Sequence, residues 1–183
     1  LLALAKEIWQ ETNGAFDITS TPLSKVWGFH ARQSTFPLPQ DIATAKQTVG
    51  CQFLQIKNNI VSFDHPQLEI NLGGIGKGYA LDCCRQHFVS QQIENYLLHA
   101  GHSSILAHGN RKNSTAENKG WQIALRHPLI PQRQLANIWL QDQAIGTSGD
   151  ANQFFYHQGK RYGHVIDPRS GWPVQHTLSS TVI

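Results

Sequence analysis

The chain has 183 residues, with 15 Lys and Arg against 12 Asp and Glu, a formal net charge of +3 and only 15% charged residues. That length buries a sizeable core without disulfide or metal staples. So weak and mixed a charge excludes a long disordered tail and a strongly basic nucleic-acid binder. No apolar run approaches the ~20 residues of a membrane span, the longest lying near Leu1–Ala5, and no signal peptide is legible.

Residues 1–12 repeat apolar side chains at helical spacing (Leu1, Leu2, Leu4, Ala5, Ile8, Trp9), and Asn13-Gly14 predicts a left-handed end to that helix. A loop or short element begins at Gly14–Ser20, and Pro22 admits a helical turn through Lys25. Arg32–Pro39, with two prolines, is a loop, and Asp41 is a candidate N-cap for a helix over Ile42–Val49. Phe53–Lys57 and Ile60–Phe63 flank Asn58-Asn59, which predicts a β-hairpin. Leu68–Leu72 reads as a strand, Gly73–Gly78 as punctuation and Tyr79–Ser90 as a helix. Strands are expected at Asn95–Ala100, Ser104–Ala107, Trp121–Leu125, Ala136–Leu140, Ala144–Ser148, Gln153–His157 and Thr177–Ile183, with a polar loop over Asn110–Gly120. No internal repeat or splitting linker is evident. The expected fold class is α+β, with helices packed on a mainly antiparallel sheet.

The cysteines, Cys51, Cys83 and Cys84, form neither a disulfide framework nor a CxxC zinc site, and are expected to be small buried or half-exposed residues. The ten histidines are scattered, with no HExxH. The absence of Met, an opening inside a helical pattern and a close on a bare strand suggest a stretch of a longer protein, truncated at both ends.

Three segments carry chemistry. In Leu68–Tyr79 a strand feeds a glycine-rich turn and a helix, a recipe for holding a phosphate or pyrophosphate on backbone N–H groups and a helix N-terminus, with Lys77 adding a full charge. It is neither a Walker loop nor GxGxxG, and a tight strand–helix turn is the plain alternative. In Gly14-Ala15-Phe16-Asp17-Ile18-Thr19, small residues beside an aromatic and a carboxylate suit a flat ring, with Asp17 accepting from a ring N–H or a ribose hydroxyl. The alternative is a helix-capping Asp next to a buried Phe, and Trp27 and Phe29 are expected in the core. The third segment joins Thr147-Ser148-Gly149-Asp150 to Gly163–Pro173. There Thr147 and Ser148 either bind a phosphate or make local backbone bonds, and Asp167–Gly171 has the composition of a type I turn. His164, two residues before Ile166, is expected on the same strand face, either as a base for an attacking hydroxyl or as a strand histidine bonded to a carboxylate such as Asp167.

Taken in order, Gly-Ala-Phe-Asp-Ile-Thr with a later Trp-Gly-Phe, then Asn-Leu-Gly-Gly-Ile-Gly-Lys-Gly-Tyr-Ala, then Thr-Ser-Gly-Asp, then His-Val-Ile-Asp-Pro-Arg-Ser-Gly-Trp-Pro resembles the ApbE family of flavin transferases over residues 1–183. The resemblance implies a single ApbE-like, T-fold-related domain that splits FAD at its pyrophosphate. It implies Mg²⁺-dependent transfer of FMN to a Thr or Ser hydroxyl of an acceptor protein, with release of AMP. It implies FAD contacts at Ala15, Phe16, Asp17, Asn71, Lys77 and Ile166, a backbone carbonyl at Gly74 as metal ligand and His164 as catalytic base. The partner is then an acceptor protein rather than nucleic acid. The expected location is the periplasm, as an inner-membrane lipoprotein whose N-terminal lipid anchor lies outside this sequence. The family's metal-binding Asp and Thr are expected in a helix beyond Ile183. Where members carry Gly-Gly-Asp, this chain reads Gly101-His102-Ser103, which loses an acidic residue. FAD hydrolysis to FMN and AMP, non-catalytic FAD binding and a generic nucleotide-binding module are the competing readings.

Overall fold

The computed structural model describes every residue except Ser34, His102, Pro131 and Asn152. Helix α1 spans Leu2–Glu11 and buries Ala5. It ends as its sequence predicts: Asn13 (φ 49°) and Gly14 (φ 79°) are left-handed, and Gly14 N–H returns to the Trp9 carbonyl at 2.8 Å. Helix α2 (Thr21–Val26) carries Pro22 in its first turn. Helix α3 covers Pro39–Lys46, not Ile42–Val49, with Leu38 rather than Asp41 as N-cap. Pro39 explains the shift, because its fixed φ suits the first helical turn and its missing N–H costs nothing there.

Strands β1 (Leu54–Lys57) and β2 (Ile60–Phe63) make the expected hairpin. Asn58 (φ 51°) and Asn59 (φ 62°) supply the two left-handed turn residues that match strand twist. Leu68–Leu72 is not a strand. Its apolar alternation is real, since Leu68, Ile70 and Leu72 pack on a core cluster, but the Asn71 N–H bonds the Ile18 carbonyl at 2.7 Å instead of a neighbouring strand. Helix α4 covers Gly76–Ser90, three residues earlier than predicted, so Lys77 and Gly78 lie in its first turn.

The strands that follow are β3 (Tyr96–Ala100), β4 (Ser104–His108), β5 (Trp121–Arg126), β6 (Gln134–Leu140), β7 (Gln143–Gly149) and β8 (Phe154–His157). Then come β9 (Lys160–Gly163), β10 (Ile166–Asp167), β11 (Trp172–Pro173) and β12 (Ser179–Val182). Of the last three before β12, β9 and β11 are absent from the sequence reading, and β10 enters it only as the strand face expected to carry His164 and Ile166. β10 and β11 hold two residues each, too few to show alternation, and β9 opens on Lys160-Arg161. The pairings β1–β2, β3–β4, β4–β7, β7–β12, β5–β6, β8–β9 and β10–β11 are all antiparallel, so the fold is α+β with mainly antiparallel sheet.

The chain divides into two compact units. The first comprises residues 1–75 with 152–176. One of its cores surrounds Trp27, which is 0% exposed, with Leu23, Phe29, Ile42, Ala45 and Tyr162. Tyr162 stacks on the Trp27 ring at 5.5 Å, and Trp27 Nε1–H donates to the Gly171 carbonyl at 2.9 Å. Burying a Trp of this kind contributes about 4–6 kcal/mol before entropy. Its second core joins Ala5, Ile18, Cys51 and Leu54, with Phe16 and Ile75 packed against it.

The second unit comprises residues 76–151 with 177–183 and is built on a four-stranded sheet in the order β12-β7-β4-β3. Neighbours along a strand point to opposite faces. Leu106 therefore packs with Leu81 of α4 and Tyr96 on one face, while Ala107 packs with Leu140 and Ile145 on the other, beside the β5–β6 ribbon.

Candidate functional site

In the first unit, the chain leaving α1 runs through Ala15, exposed, and Phe16, half-buried, to Asp17, Ile18 and Thr19, all buried. A buried carboxylate demands donors. The Asp17 Oδ1 accepts the Thr19 N–H at 2.8 Å, the Thr19 hydroxyl at 2.6 Å and the Cys51 thiol at 3.3 Å. Asp17 therefore does not cap a helix, and α2 has no side-chain cap bond. Burial, with the Asp17 carboxylate second, pushes the Cys51 thiol up to about 12, so it stays protonated and donates.

The glycine-rich turn meets this segment. Besides the Asn71 N–H bond to Ile18, the Asn71 Oδ1 accepts the Gly73 N–H at 2.8 Å, an Asx turn that shapes the loop. A Cβ placed at Gly74 would stand 3.3 Å from Phe16 Cε2. Phe16, Asp17, Asn71 and Gly74 thus belong to one neighbourhood of the first unit. The Arg169 turn adjoins it: a Cβ at Gly14 would lie 3.7 Å from Arg169 Cγ. The chain turns at Asp167–Gly171, where the Asp167 carbonyl accepts the Ser170 N–H at 3.2 Å, as a β-turn requires, and also the Gly171 N–H at 2.8 Å, with Gly171 at φ +81°. Arg169 Nη2 and Nε grip Asp167 at 2.7 and 2.9 Å and hold its carboxyl below the usual carboxylate range.

His164 departs from expectation. It lies in a bend between β9 and β10, not on a strand face with Ile166. It is not bonded to Asp167, whose carboxylate is taken by Arg169. Its Nδ1 is 3.3 Å from the Gln153 carbonyl, and its ring meets Phe29 edge-on at 6.4 Å. A ring nitrogen held on a carbonyl must be the protonated one, which leaves Nε2 as the acceptor of a neutral imidazole. Ile166 packs against the Trp27 core.

Lys77, Thr147 and Ser148 belong to the second unit. The Lys77 ammonium donates to the Ser103 hydroxyl. The Ser103 carbonyl accepts the Thr147 N–H at 2.8 Å, and the Thr147 and Thr181 hydroxyls share a bond at 3.0 Å. Ser148 is an exposed partner of Ser180 in the β7–β12 ladder. His102, part of the Gly101-His102-Ser103 departure, lies outside the described residues.

Among the described residues no group of three or more His, Cys, Asp or Glu side chains could hold a metal. Gly74 is exposed and offers a carbonyl oxygen, but the described residues do not by themselves fit a magnesium centre, which wants several hard oxygen ligands.

Sequence reasoning missed Thr19, Cys51, Ser103 and Thr181. Thr19 had a local signal, since an Asp two residues before a hydroxyl residue often bonds its backbone. Cys51, 34 residues from Asp17, had none.

The α+β architecture is similar to that of solved flavin transferases. The structure is similar to the ApbE protein of Thermotoga maritima, with a TM-score of 0.86 at 30% identity over 100% of this chain and 58% of that one. It is also similar to the flavin transferase ApbE from Vibrio cholerae, with a TM-score of 0.81 at 33% identity over 99% of this chain and 57% of that one. The profile of the ApbE family matches residues 1–183, and the chain belongs to that family. A FAD:protein FMN transferase of Vibrio cholerae serotype O1 is 35% identical over 94% of this chain and 51% of its own length. Another, of Escherichia coli K12, is 30% identical over 100% of this chain and 53% of its own length. The chain spans about half the length of these curated relatives.

Proposed function

We propose that the intact protein transfers FMN from FAD to a Thr or Ser hydroxyl of an acceptor protein and releases AMP. Its relatives' name, FAD:protein FMN transferase, supports the reaction. The observation that carries the reading for this chain is the 2.7 Å bond from the Asn71 N–H to the Ile18 carbonyl, which seats the glycine-rich turn on the Phe16-Asp17 segment. Phe16 offers a ring for the flavin, and Asp17 an acceptor for its N–H or O–H groups.

In the proposed step the acceptor oxygen attacks the FMN phosphorus. The bond from that phosphorus to the bridging oxygen breaks, and AMP leaves with the electron pair. The hydroxyl proton passes to Nε2 of His164, whose other nitrogen is held on the Gln153 carbonyl. Phosphoryl transfer needs positioning and charge neutralisation more than covalent help, so a base held in place by a hydrogen bond suits it. A Mg²⁺ requirement belongs to the proposal, with the Gly74 carbonyl as one of the oxygens that would hold the ion. The proposed location is the periplasm, with a lipid anchor; no helix of the described residues is long and apolar enough to cross a membrane.

The test is incubation of the intact protein with FAD, Mg²⁺ and a candidate acceptor. A fluorescent covalent band with matching AMP release is expected. FMN and AMP without a band would replace the proposal with FAD hydrolysis, and tight FAD binding without AMP would replace it with storage.

A further inference from the structure

We propose that Thr19 and Cys51 are positioning residues that clamp one oxygen of Asp17, so that the other is presented to the flavin nucleotide in a fixed direction. This rests on the proposed FAD reading of Asp17. Among the described residues the three donors to Asp17 all converge on Oδ1, and Oδ2 takes none of them. Rotating the carboxylate would break every one of these bonds inside a region where Thr19 and Cys51 are 0% exposed and Asp17 is 9% exposed.

The direction of each bond is forced. The Gly50 N–H, at 2.7 Å from the Thr19 hydroxyl oxygen, can only donate. The Asp17 Oδ1 lies 2.6 Å from the same hydroxyl and accepts from it. The single hydroxyl proton of Thr19 must therefore point at Oδ1, and the hydroxyl relays the Gly50 dipole onto the carboxylate. Cys51 follows Gly50 directly and opens the short 3-10 turn Cys51–Phe53, so two adjacent residues supply the Gly50 N–H and the Cys51 thiol. Burial keeps that thiol protonated, which makes it a donor rather than a competing anion. Lys6, whose ammonium donates to the Leu54 carbonyl, adds positive charge near this cluster.

The backbone is fixed as well. Phe16 N–H donates to the Thr12 hydroxyl at 3.1 Å, and the Ile18 carbonyl is held by Asn71. Asp17 is thus pinned on both sides in sequence and at one of its two oxygens. A carboxylate whose geometry is set before the ligand arrives loses little freedom on binding, and that saving appears as affinity. An acceptor-only oxygen selects a donor, so the group it meets is an N–H or O–H of the flavin nucleotide, not a phosphate.

The experiment measures the FAD dissociation constant and the steady-state kcat and KM of the intact protein for the wild type, Cys51→Ala, Cys51→Ser, Thr19→Val, Asp17→Asn and Leu54→Val. Losing a hydrogen bond to a charged group typically weakens an interaction about tenfold. Cys51→Ala and Thr19→Val are expected to raise Kd and KM for FAD about five- to tenfold with kcat within about twofold. Cys51→Ser restores a donor and is expected to recover most of the affinity. Leu54→Val is the packing control, because Leu54 is fully buried in the same cluster and makes no side-chain bond to Asp17. It is expected to lower the melting temperature as much as Cys51→Ala while leaving Kd unchanged. If Cys51→Ala and Thr19→Val bind FAD like the wild type while Asp17→Asn is impaired, the clamp is wrong and the FAD reading stands. If Leu54→Val weakens FAD as much as Cys51→Ala does, the effect is general packing and the clamp is wrong. If Asp17→Asn itself binds FAD normally, both the clamp and the assignment of Asp17 fall.

Discussion

Gly171→Ala probes how the Asp167–Gly171 turn is held. Gly171 sits at φ +81°, and an alanine forced into the left-handed region costs about 1–2 kcal/mol. The added methyl would also stand 2.5 Å from Ile42 Cγ2, with Lys46 Cδ at 3.2 Å and Leu23 Cδ2 at 3.3 Å. Ile42 and Leu23 are core residues, 3% and 0% exposed, so the clash cannot relax into solvent. Overpacking of this type costs about 1–3 kcal/mol. The turn can escape only by moving the Gly171 carbonyl off Trp27 Nε1, which strands a buried donor at a similar cost of about 1–3 kcal/mol. The chain takes the cheaper route, so the expected total is about 3 kcal/mol. Urea unfolding with a shared m-value reads it as a shift in midpoint. In an Ile42→Ala background the methyl enters the vacated space, and the increment should fall to the left-handed cost of about 1–2 kcal/mol. A loss under about 1 kcal/mol in the wild-type background, or the same increment in both, would refute the packing argument.

Cys51 gives a pH signature. Its ordinary value is 9.0 and its folded value about 12, so between these the unfolded chain sheds a proton that the native protein keeps. Stability is then complete below pH 9 and falls as pH rises toward 12, by up to about 1.4 kcal/mol per pH unit. Urea midpoints followed from pH 8 to 10.5 should fall more steeply for wild type than for Cys51→Ala, and parallel lines would contradict the buried thiol. Asp167 behaves oppositely: its carboxyl is held low by Arg169, so its contribution is present above the ordinary carboxylate range and lost as pH falls through the folded value. Asp167→Asn should flatten the acid limb of the stability profile, and an unchanged limb would remove the pair from the account. His164→Ala should slow FMN transfer by about 10²-fold or more while FAD affinity stays within about twofold, and undiminished transfer would remove His164 from the step.

Much of the fold was legible because the signals are local. The α1 pattern with Asn13-Gly14 behind it and the Asn58-Asn59 hairpin each need only a few neighbouring residues to be right. Trp27 and Phe29 in the core follow from their apolar bulk. Leu68–Leu72 shows where that logic stops. Its side chains alternate like a strand and pack like one, but strand identity depends on where the N–H groups go, and Asn71 sends its own to Ile18. The site was legible as residue types but not as bonds. Asp17 stands out in sequence, whereas its grip by Cys51 depends on a contact 34 residues away that no spacing encodes. His164 invites pairing with Asp167, yet Arg169, two residues from Asp167, is the closer and stronger partner.

The most direct test of the central claim is calorimetric titration of the intact protein with FAD in the presence of Mg²⁺, repeated on Asp17→Asn. The account predicts a saturable heat with one FAD per chain in the wild type and an affinity lowered about tenfold or more in the variant. An absence of binding heat in a folded wild type, or equal affinities in the two proteins, would contradict it.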